Sequence, residues 1–368
     1  MDMRIPLSAP EITEADIEAV VSVLRTPRLS IGPKMAEFEK VVAEAAGVPY
    51  GIAVSSGTAG LHLCLCALGI GEGDEVILPS FTFIAAGNAV LYQRATPVFV
   101  DIDPLTYNMD PQGLEEAIRR TPRAKAIMPV HLYGGCADMD PIMEIARRRG
   151  CMVIEDGAQS IGAEYKGRPA QSIGDIGCIS FFPSKNLGGF GDGGMVLTQD
   201  EAHAKKLAAL RVHGASKKYF HEWVGINSRL DSLQAAVLRV KLQYLDSETS
   251  GRQKNAARYR ENLSGAGLPI VLSSPAPYQT RHVYNQFVIR TSKRDQLKAH
   301  LGENGIGTEI YYPLSLHQQV CFSDLGYREG DFPVSEKAAA EVLALPVHSA
   351  LSEQDVDYVC QQIRAFFA

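Results

Sequence analysis

The chain has 368 residues and a formal net charge of −6, and hydrophobic residues make up 46% of it. This composition is typical of a globular protein with a sizeable core, and the acidic balance argues against nucleic acid or an anionic membrane as the main partner. No stretch reaches the roughly 18 apolar residues of a membrane helix, and no apolar signal segment opens the chain, so we predict a cytoplasmic protein. Seven scattered cysteines predict free thiols and no metal site.

Short apolar runs alternate with amphipathic helical patterns as far as residue 200. The candidate strands cover residues 51–56, 75–79, 97–103, 126–131, 151–157, 176–182 and 193–198. Strands that alternate with helices predict an α/β fold with a mostly parallel seven-stranded sheet covered on both faces. Because only a glycine-rich loop separates the last two strands, we expect the last one to run antiparallel.

From residue 201 onward the pattern becomes mainly helical. It predicts one long helix from Arg229 to Leu263, a strand near residues 282–290 and a final helix from Glu353 to Phe367. We therefore predict a large domain, residues 1–240, and a smaller α+β domain, residues 241–368, which the long helix joins directly.

Two predicted strand ends carry polar residues, and in open α/β sheets ligands bind beyond the carboxyl ends of strands. Gly57 and Thr58 open a helix after the first strand, where backbone N–H groups can bind an anion, although a simple serine or threonine N-cap is the alternative. Asp156 and Gln159 follow a buried strand. Asp156 suits a cationic ring nitrogen and Gln159 a ring substituent, whereas the alternative is that Asp156 caps a following helix.

Two further strand ends complete the pattern. Residues 180–196 read SFFPSKNLGGFGDGGMV, which places Ser180 late in a strand and Lys185 between aromatic residues and glycines. A lysine among apolar neighbours has a lowered pKa and becomes a nucleophile, whereas the alternative is a surface charge. In PSFTF, residues 79–83, one phenylalanine can stack on a flat ring while the other packs in the core, and we assign the ring to Phe83.

Together, the four strand ends describe a single ligand. An anion site, a carboxylate for a ring nitrogen, an aromatic cover and an activated lysine match the phosphate, pyridine nitrogen, flat ring and aldehyde of pyridoxal 5'-phosphate (PLP). We therefore predict PLP as the cofactor.

Long segments of the chain also resemble a known family. They read, in order, SSGTAGLHLCL, PSFTFIAAGNAV, DIDPLTYNMD, PVHLYGGCADMDPI, VIEDGAQSIGAEYKGR, GDIGCISFFPSKNLGGFGDGGM, HEWVGINSRLDSLQAAVLRVKL and YYPLSLHQQ. Over nearly its whole length the chain resembles the DegT/DnrJ/StrS-type sugar aminotransferases. This resemblance implies the PLP-dependent aspartate-aminotransferase-like fold, known as fold type I.

The resemblance implies roles for residues around the cofactor ring. Lys185 would hold the cofactor aldehyde and later shuttle a proton, and Asp156 would pair with the pyridine nitrogen. Gln159 would contact the phenolic oxygen, and Phe83 would stack on the ring.

The resemblance also implies the phosphate contacts. Gly57, Thr58 and Ser180 match phosphate-binding positions of the family. Asn227 matches an asparagine that reaches the phosphate of the cofactor in the neighbouring subunit. The chain would therefore form a homodimer with shared active sites.

Substrate contacts are predicted in two segments. Arg229 would grip a carboxylate or the phosphates of a nucleotide, and the alternative is a structural ion pair with Asp231. Tyr311, Tyr312 and His317 match a segment that lines the sugar pocket in relatives.

The predicted reaction transfers an amino group from glutamate, leaving 2-oxoglutarate, to a nucleotide-linked keto sugar for amino-sugar biosynthesis, as in lipopolysaccharide O-antigens. Lys185 favours transamination, since family members that dehydrate carry histidine there, and the GDGG stretch resembles members that aminate 3-keto rather than 4-keto sugars. The alternatives are an aminotransferase for a keto-cyclitol or aminoshikimate-type ring and a non-catalytic regulator that keeps the fold.

Overall fold

The computed structural model describes residues 3–368. Within these residues the α-helices are α1 (Glu14–Leu24), α2 (Pro33–Ala45), α3 (Gly57–Ala67), α4 (Ala85–Tyr92), α5 (Pro111–Arg120), α6 (Met139–Arg149), α7 (Glu201–Leu210), α8 (Ser232–Leu242), α9 (Leu245–Leu263), α10 (Arg294–Glu303), α11 (Pro333–Glu341) and α12 (Glu353–Phe367). The strands are β1 (Tyr50–Val54), β2 (Glu75–Pro79), β3 (Thr96–Val100), β4 (Ala124–Ile127), β5 (Met152–Asp156), β6 (Glu164–Tyr165), β7 (Arg168–Pro169), β8 (Ile176–Ser180), β9 (Gly194–Thr198), β10 (Ala215–Lys217), β11 (Phe220–His221), β12 (Val271–Leu272), β13 (Phe287–Arg290) and β14 (Val342–Leu345).

Seven strands form the main sheet in the order β1-β9-β8-β5-β4-β2-β3. Neighbouring strands are parallel except at β9, which runs antiparallel to both β1 and β8. The prediction of an α/β fold with a mostly parallel sheet and an antiparallel last strand is therefore confirmed. Strands β2, β8 and β9 are buried along almost their whole length because helices cover both faces of the sheet.

Separate apolar cores fill the two faces of the sheet. Helices α3, α4 and α7 pack on one face in a core that includes Leu61, Val90 and Leu207. On the other face, α5 and α6 contribute to one core and α2 and α8 to another. Local signals fix the ends of these helices: Ser56 caps α3 through its side chain, and Gly150 ends α6 in the left-handed conformation with φ of 68°.

The C-terminal part has its own small sheet and core. Strands β12, β13 and β14 form an antiparallel sheet against α9, α10 and α12. Ile5 also lies in this core and forms a parallel bridge with Ile306, so the N-terminal segment crosses to the C-terminal part. The division into residues 1–240 and 241–368 stays a prediction.

The predicted long helix from Arg229 to Leu263 is wrong in one respect, because the helical stretch is broken. Helix α8 ends at Leu242 and α9 begins at Leu245. At the break, the Tyr244 N–H bonds Lys241 O at 3.0 Å instead of continuing the α-helical pattern. The final helix over residues 353–367 is confirmed, and its start carries a capping box of Ser352 and Asp355.

Two further observations concern the thiols and the helix lengths. All seven cysteines are free. Among residues 3–368, every helix is too short or too polar to cross a lipid bilayer.

Candidate active site

The carboxyl edge of the main sheet gathers the predicted site residues. Strands β1, β8, β5 and β2 all end at this edge, and β9 begins there, since Gly194 pairs with both Val54 and Ser180. The loop that carries Lys185 connects β8 to β9 and lies between the helix start after β1 and the end of β5. Sequence reasoning placed these groups at strand ends, and the strand order makes them neighbours.

The start of α3 and the end of β8 form a tight cradle. A Cβ placed on Gly57 would lie 2.9 Å from the Cβ of Ser180, so only glycine allows the helix start to approach this strand end. Ser56 accepts a hydrogen bond from the Ala59 N–H at 3.1 Å and caps the helix. Thr58 is the second residue of this helix and is half-buried. Backbone N–H groups, a serine and a threonine at a helix start suit a phosphate.

We expect Gly57→Ala to weaken PLP binding by roughly 5- to 150-fold, because the added methyl group must push Ser180 aside at a cost of about 1–3 kcal/mol. PLP titration followed by its visible absorbance measures the effect. Gly113→Ala in α5 is the matched control, since the nearest atom to its Cβ lies at 3.6 Å. Equal PLP affinity in Gly57→Ala and the wild type would contradict the cradle.

Asp156 ends β5 as a buried carboxylate with few partners. Its Oδ1 accepts from the Ala158 N–H at 3.1 Å, and a turn rather than a helix follows, so the alternative of a helix cap is not realised. Burial raises the pKa of Asp156, while the Ala158 N–H and the charge of Lys185 act in the opposite direction. A carboxylate in this setting gains stability from a cationic neighbour such as a protonated ring nitrogen.

Gln159 is held rigidly beside this carboxylate. Its Oε1 accepts from the Tyr133 N–H at 2.6 Å, and its Nε2 donates to the Tyr312 hydroxyl at 3.1 Å. These bonds fix the orientation of the amide and leave its second N–H as a donor. That donor suits an oxygen substituent on a ring bound next to Asp156.

A buried pair of His131 and Glu155 supports Asp156 from behind. The His131 Nδ1 accepts from the Ala137 N–H at 3.1 Å, so the Nε2 carries the proton and donates to Glu155 at 2.8 Å. Glu155 also accepts three backbone N–H groups from the loop of residues 171–174. Burial would raise the pKa of Glu155, but the bonds from His131 and the backbone outweigh it and lower the pKa.

The His131–Glu155 pair is joined to Asp156 through the backbone. The backbone N–H of His131 donates to the backbone carbonyl of Asp156 at 2.9 Å. Sequence reasoning missed this support. The only sign of this support in the sequence was His131 at the end of the fourth predicted strand, together with the acidic pair Glu155 and Asp156 near the end of the fifth.

Lys185 lies in a loop that is anchored on both sides. Its N–H bonds Phe182 O at 2.9 Å, and the next residue, Asn186, donates from its side chain to Val283 O at 2.8 Å. A Cβ on Gly188 would lie 2.3 Å from Pro183 O, so the glycines let the chain fold back closely after the lysine. Burial lowers the pKa of Lys185 from 10.5 to about 8, although the charge of Asp156 acts against this shift.

This lowered pKa predicts the pH dependence of PLP attachment. The neutral amine is the nucleophile, so the rate at which the apo-protein gains the visible PLP band should rise through pH 8 and level off above it. If the pKa of Lys185 were unperturbed, the rate of PLP attachment would still be rising near pH 10. In Asp156→Asn the midpoint should move to lower pH, because the carboxylate raises the pKa of Lys185. A midpoint near pH 10 in the wild type would contradict the desolvated environment.

Aromatic residues lie next to Gln159, on the side of Tyr312. Phe81 is fully buried, whereas Phe83 is 53% exposed and lies 5.8 Å from Tyr312 between ring centroids. This difference agrees with the assignment of Phe81 to the core and of Phe83 to a ring. Tyr312 contacts Gln159, and the Tyr133 hydroxyl donates to the carbonyl of Tyr311.

Among residues 3–368, three other predicted site residues form no hydrogen bond to Lys185, Asp156 or Gln159. His317 is enclosed, with Nδ1 bonded to Ser80 Oγ at 2.6 Å and Nε2 to Glu336 at 3.0 Å, so both ring nitrogens are used within the chain. Its predicted contact with the sugar stays a prediction, and this geometry favours a role in holding Ser80. Asn227 is exposed.

Arg229 is half-buried, and among residues 3–368 it forms no ion pair within 4.0 Å, so the alternative pairing with Asp231 is not realised. Its neighbour Ser228 ties this loop to the phosphate cradle. The Ser228 Oγ lies 3.1 Å from Ser55 Oγ and accepts from the Ser55 N–H at 3.3 Å. Sequence reasoning did not predict this contact, because 173 positions separate the two residues.

The residues at the sheet edge fit PLP in each of its parts. A glycine-dependent cradle at a helix start suits the phosphate, a buried carboxylate suits the pyridine nitrogen, and an amine with a lowered pKa suits the aldehyde. An α/β fold of this topology with such a site defines a PLP-dependent enzyme.

Comparison with known proteins carries the identification further. The sequence model of the DegT/DnrJ/EryC1/StrS aminotransferase family matches residues 10–364. The chain is 46% identical over 345 residues to a protein of Geobacillus stearothermophilus named "Pleiotropic regulatory protein", covering 94% of this chain and 92% of that protein. It is 46% identical over 348 residues to the UDP-N-acetyl-3-dehydro-alpha-D-glucosamine 3-aminotransferase of Acidithiobacillus ferrooxidans, covering 95% and 92%.

Solved structures agree with these sequence relatives. DesV of S. venezuelae, solved in complex with a ketimine intermediate, superimposes with a TM-score of 0.93 at 40% identity and covers 98% of both chains. The PLP form of Spr1654 from Streptococcus pneumoniae, a putative sugar aminotransferase by its description, superimposes with a TM-score of 0.92 at 27% identity, covering 98% of each chain. The chain therefore belongs to the DegT/DnrJ/EryC1/StrS aminotransferase family. It is a PLP-dependent sugar aminotransferase, as the motifs predicted.

Proposed function

We propose that the protein transfers the amino group of glutamate to the keto carbon of a nucleotide-linked 3-keto sugar. The observation that carries this proposal is the Lys185 amine, whose pKa burial lowers to about 8, beside the buried Asp156 carboxylate. PLP, when bound, supplies an aldehyde for the amino group and a ring that withdraws electrons. The other steps belong to residues of the chain.

Each residue has a defined task in this proposal. Lys185 holds the cofactor aldehyde and then accepts and returns a proton at the substrate carbon. Asp156 keeps a negative charge against the ring nitrogen, and Gln159 orients the ring through its free N–H. Gly57, Thr58 and Ser180 hold the phosphate. Phe83 covers the ring, and Tyr311 and Tyr312 stand at the sugar side.

The choice of a 3-keto nucleotide sugar is supported by one sequence relative and one sequence feature. The 46% identical protein of Acidithiobacillus ferrooxidans is named for amination at position 3 of a UDP-linked sugar. The GDGG stretch at residues 191–194 resembles members that aminate such sugars. Arg229, half-buried and without a carboxylate partner among the described residues, offers a cation for a diphosphate.

A homodimer with shared active sites is part of the proposal. Large apolar side chains are exposed around the site: Phe182 and Phe190 flank Lys185, and Val224 is 97% exposed three residues before Asn227. Such a surface is typical of an interface, and a second copy would place Asn227 against the cofactor phosphate of its neighbour. Sedimentation should give the mass of a dimer, and a PLP-loaded, active monomer would contradict this arrangement.

A second candidate function is a regulatory role in addition to amino transfer, since the relative from Geobacillus stearothermophilus bears the name of a regulatory protein. A regulator has no need of an amine with a lowered pKa next to a buried carboxylate. This pair of groups therefore supports amino transfer as the chemistry of the site.

The test combines a binding panel with product analysis. Thermal shifts with UDP, dTDP and GDP identify the nucleotide, and a cyclitol aminotransferase should respond to none of them. The enzyme with glutamate and the matching 3-keto nucleotide sugar should then give an amino sugar by mass spectrometry. Amination of the 4-keto isomer alone would overturn the assignment of position 3, and release of no amino sugar would contradict the proposed pair of substrates.

A further inference from the structure

A tyrosine shortly after β4 has a backbone conformation that bulky residues rarely adopt. Tyr133 lies in the short turn of residues 132–134, with φ of 60° and ψ of 3°. Positive φ is uncommon outside glycine, and a bulky residue keeps it only where the surrounding structure holds it. Tyr133 is 3% exposed, so its side chain is packed inside the protein. A buried tyrosine in this conformation indicates that its side chain makes contacts that glycine would not supply.

The turn and the tyrosine ring are both fixed by their neighbours. The Val283 N–H donates to the Gly134 carbonyl at 2.9 Å, and the Gln286 N–H donates to the Tyr133 carbonyl at 3.3 Å. The ring of Tyr133 packs edge-on against Tyr107, with 5.5 Å between ring centroids. These contacts fix the position of the Tyr133 hydroxyl.

Tyr133 contacts both the cofactor side and the sugar side of the candidate site. Its backbone N–H donates to Gln159 Oε1 at 2.6 Å, and its hydroxyl donates to the Tyr311 carbonyl. Gln159 in turn donates from Nε2 to the Tyr312 hydroxyl at 3.1 Å. Because Tyr311 and Tyr312 are adjacent in the chain, these three hydrogen bonds form a closed circuit, hereafter the Tyr133 network.

The Tyr133 network leaves the Tyr312 hydroxyl free to donate. This hydroxyl accepts from Gln159, and among residues 3–368 it donates to no acceptor. Burial raises the pKa of Tyr312, so the hydroxyl keeps its proton. A hydroxyl held through its acceptor side is an oriented hydrogen-bond donor, which suits an oxygen atom of a sugar.

We propose that Tyr133 is a positioning residue for the nucleotide sugar: its hydroxyl holds Tyr311 and thereby keeps the Tyr312 hydroxyl in place as a donor to the sugar. The inference rests on the proposed function and deepens it. Tyr133 is almost fully buried, so it acts through its neighbours and not on the sugar directly. Its backbone bond to Gln159 is independent of the hydroxyl, so the two contacts are separable by substitution.

The kinetic experiment compares Tyr133→Phe with the wild type and with Tyr358→Phe. The Tyr358 hydroxyl donates to the Asn304 carbonyl at 3.3 Å in the C-terminal part, so Tyr358→Phe removes the same kind of bond elsewhere. In a two-stage transfer, kcat/KM for each substrate reports only its own stage. For Tyr133→Phe we expect kcat/KM for the keto sugar to fall roughly 3- to 10-fold, the effect of one hydrogen bond. The value for glutamate should stay at the wild-type level, and Tyr358→Phe should match the wild type for both substrates.

A binding measurement needs no turnover. UDP-glucose, dTDP-glucose and GDP-mannose carry no keto group, and calorimetry gives the Kd of each and of the matching nucleoside diphosphate. Tyr133→Phe should bind the nucleotide sugar roughly 3- to 10-fold more weakly than the wild type, with unchanged affinity for the nucleoside diphosphate. If the wild type binds none of the three sugars, the proposed function itself is wrong. If it binds one and Tyr133→Phe binds it equally well, only the inference on Tyr133 is overturned.

A double-mutant cycle separates positioning from a general structural role. Tyr312→Phe removes the hydroxyl that Tyr133 is proposed to place, so adding Tyr133→Phe to it should weaken nucleotide-sugar binding by less than about 2-fold further. Fully additive effects of the two substitutions would overturn the inference, because Tyr133 would then act independently of Tyr312. Loss of the folded state in Tyr133→Phe, seen as a collapse of the melting temperature, would assign the hydroxyl to folding instead.

Discussion

Lys185→Ala should fold normally and lose turnover by at least about 10²- to 10⁴-fold, the contribution of a positioned acid–base group. The variant also loses the covalent link to the cofactor, so its visible band should shift to that of free PLP. The physical reason is the position of the amine beside Asp156, where burial lowers the pKa of Lys185 to about 8. Steady-state assay of amino-sugar formation and absorption spectroscopy measure the two effects.

Lys205→Ala is the matched control, because Lys205 pairs with Glu201 on the surface and is 72% exposed. It should keep full activity. Added small primary amines should restore part of the activity of Lys185→Ala, since they replace the missing base while the fold stays intact. Multiple turnovers by Lys185→Ala without added amine would remove this lysine from the reaction.

Asp156→Asn should retain PLP yet lose turnover on the order of 10²- to 10³-fold, comparable with the loss of one preorganised electrostatic contact. The substitution keeps the shape of the side chain and the bond from the Ala158 N–H but removes the charge that a protonated ring nitrogen needs. Rapid mixing with glutamate, followed at the visible PLP band, would show whether the donor half of the reaction is the slowed step.

Asp110→Asn provides the comparison for this prediction. Asp110 caps α5 through bonds to two backbone N–H groups, and asparagine is an equally good cap, so activity and stability should both persist. Should Asp156→Asn work at the wild-type rate, the carboxylate would be a structural group and the ring nitrogen would have another partner.

The sequence predicted most of the sheet because strand signals are local. Apolar runs of five to seven residues identified every strand of the main sheet, although the fourth run, residues 126–131, overlaps β4 only at Ala126 and Ile127. The short connection from β8 to β9 predicted the antiparallel strand. The break between α8 and α9 escaped prediction, since neither glycine nor proline marks Gln243 and Tyr244. Packing of two helices on different cores, rather than local preference, bends the chain there.

The site was predictable where its residues sit at strand ends. Asp156 and Ser180 end the strands β5 and β8, and Gln159 and Lys185 lie in the loops that follow these strands. Parallel strands bring such ends to one edge of the sheet. The supporting contacts were not predictable, because they join distant parts of the chain, as with Ser55 and Ser228. The buried pair of His131 and Glu155 likewise becomes visible only when the folded chain shows which groups are in contact.

His317 shows the limit of matching positions to a family pattern. The segment YYPLSLH predicts a sugar-side position, and Tyr312 does lie next to Gln159 and Phe83. The histidine, however, points into the protein between Ser80 and Glu336. A sequence motif therefore locates a segment more reliably than it assigns each side chain.

The most direct test of the central claim is the visible absorption spectrum of the purified protein before and after glutamate is added. An aminotransferase with Lys185 as its anchor should show the band of lysine-linked PLP, which glutamate removes and a 3-keto nucleotide sugar restores. A protein that shows no such band after incubation with PLP, or whose band ignores every amino acid, would contradict the account.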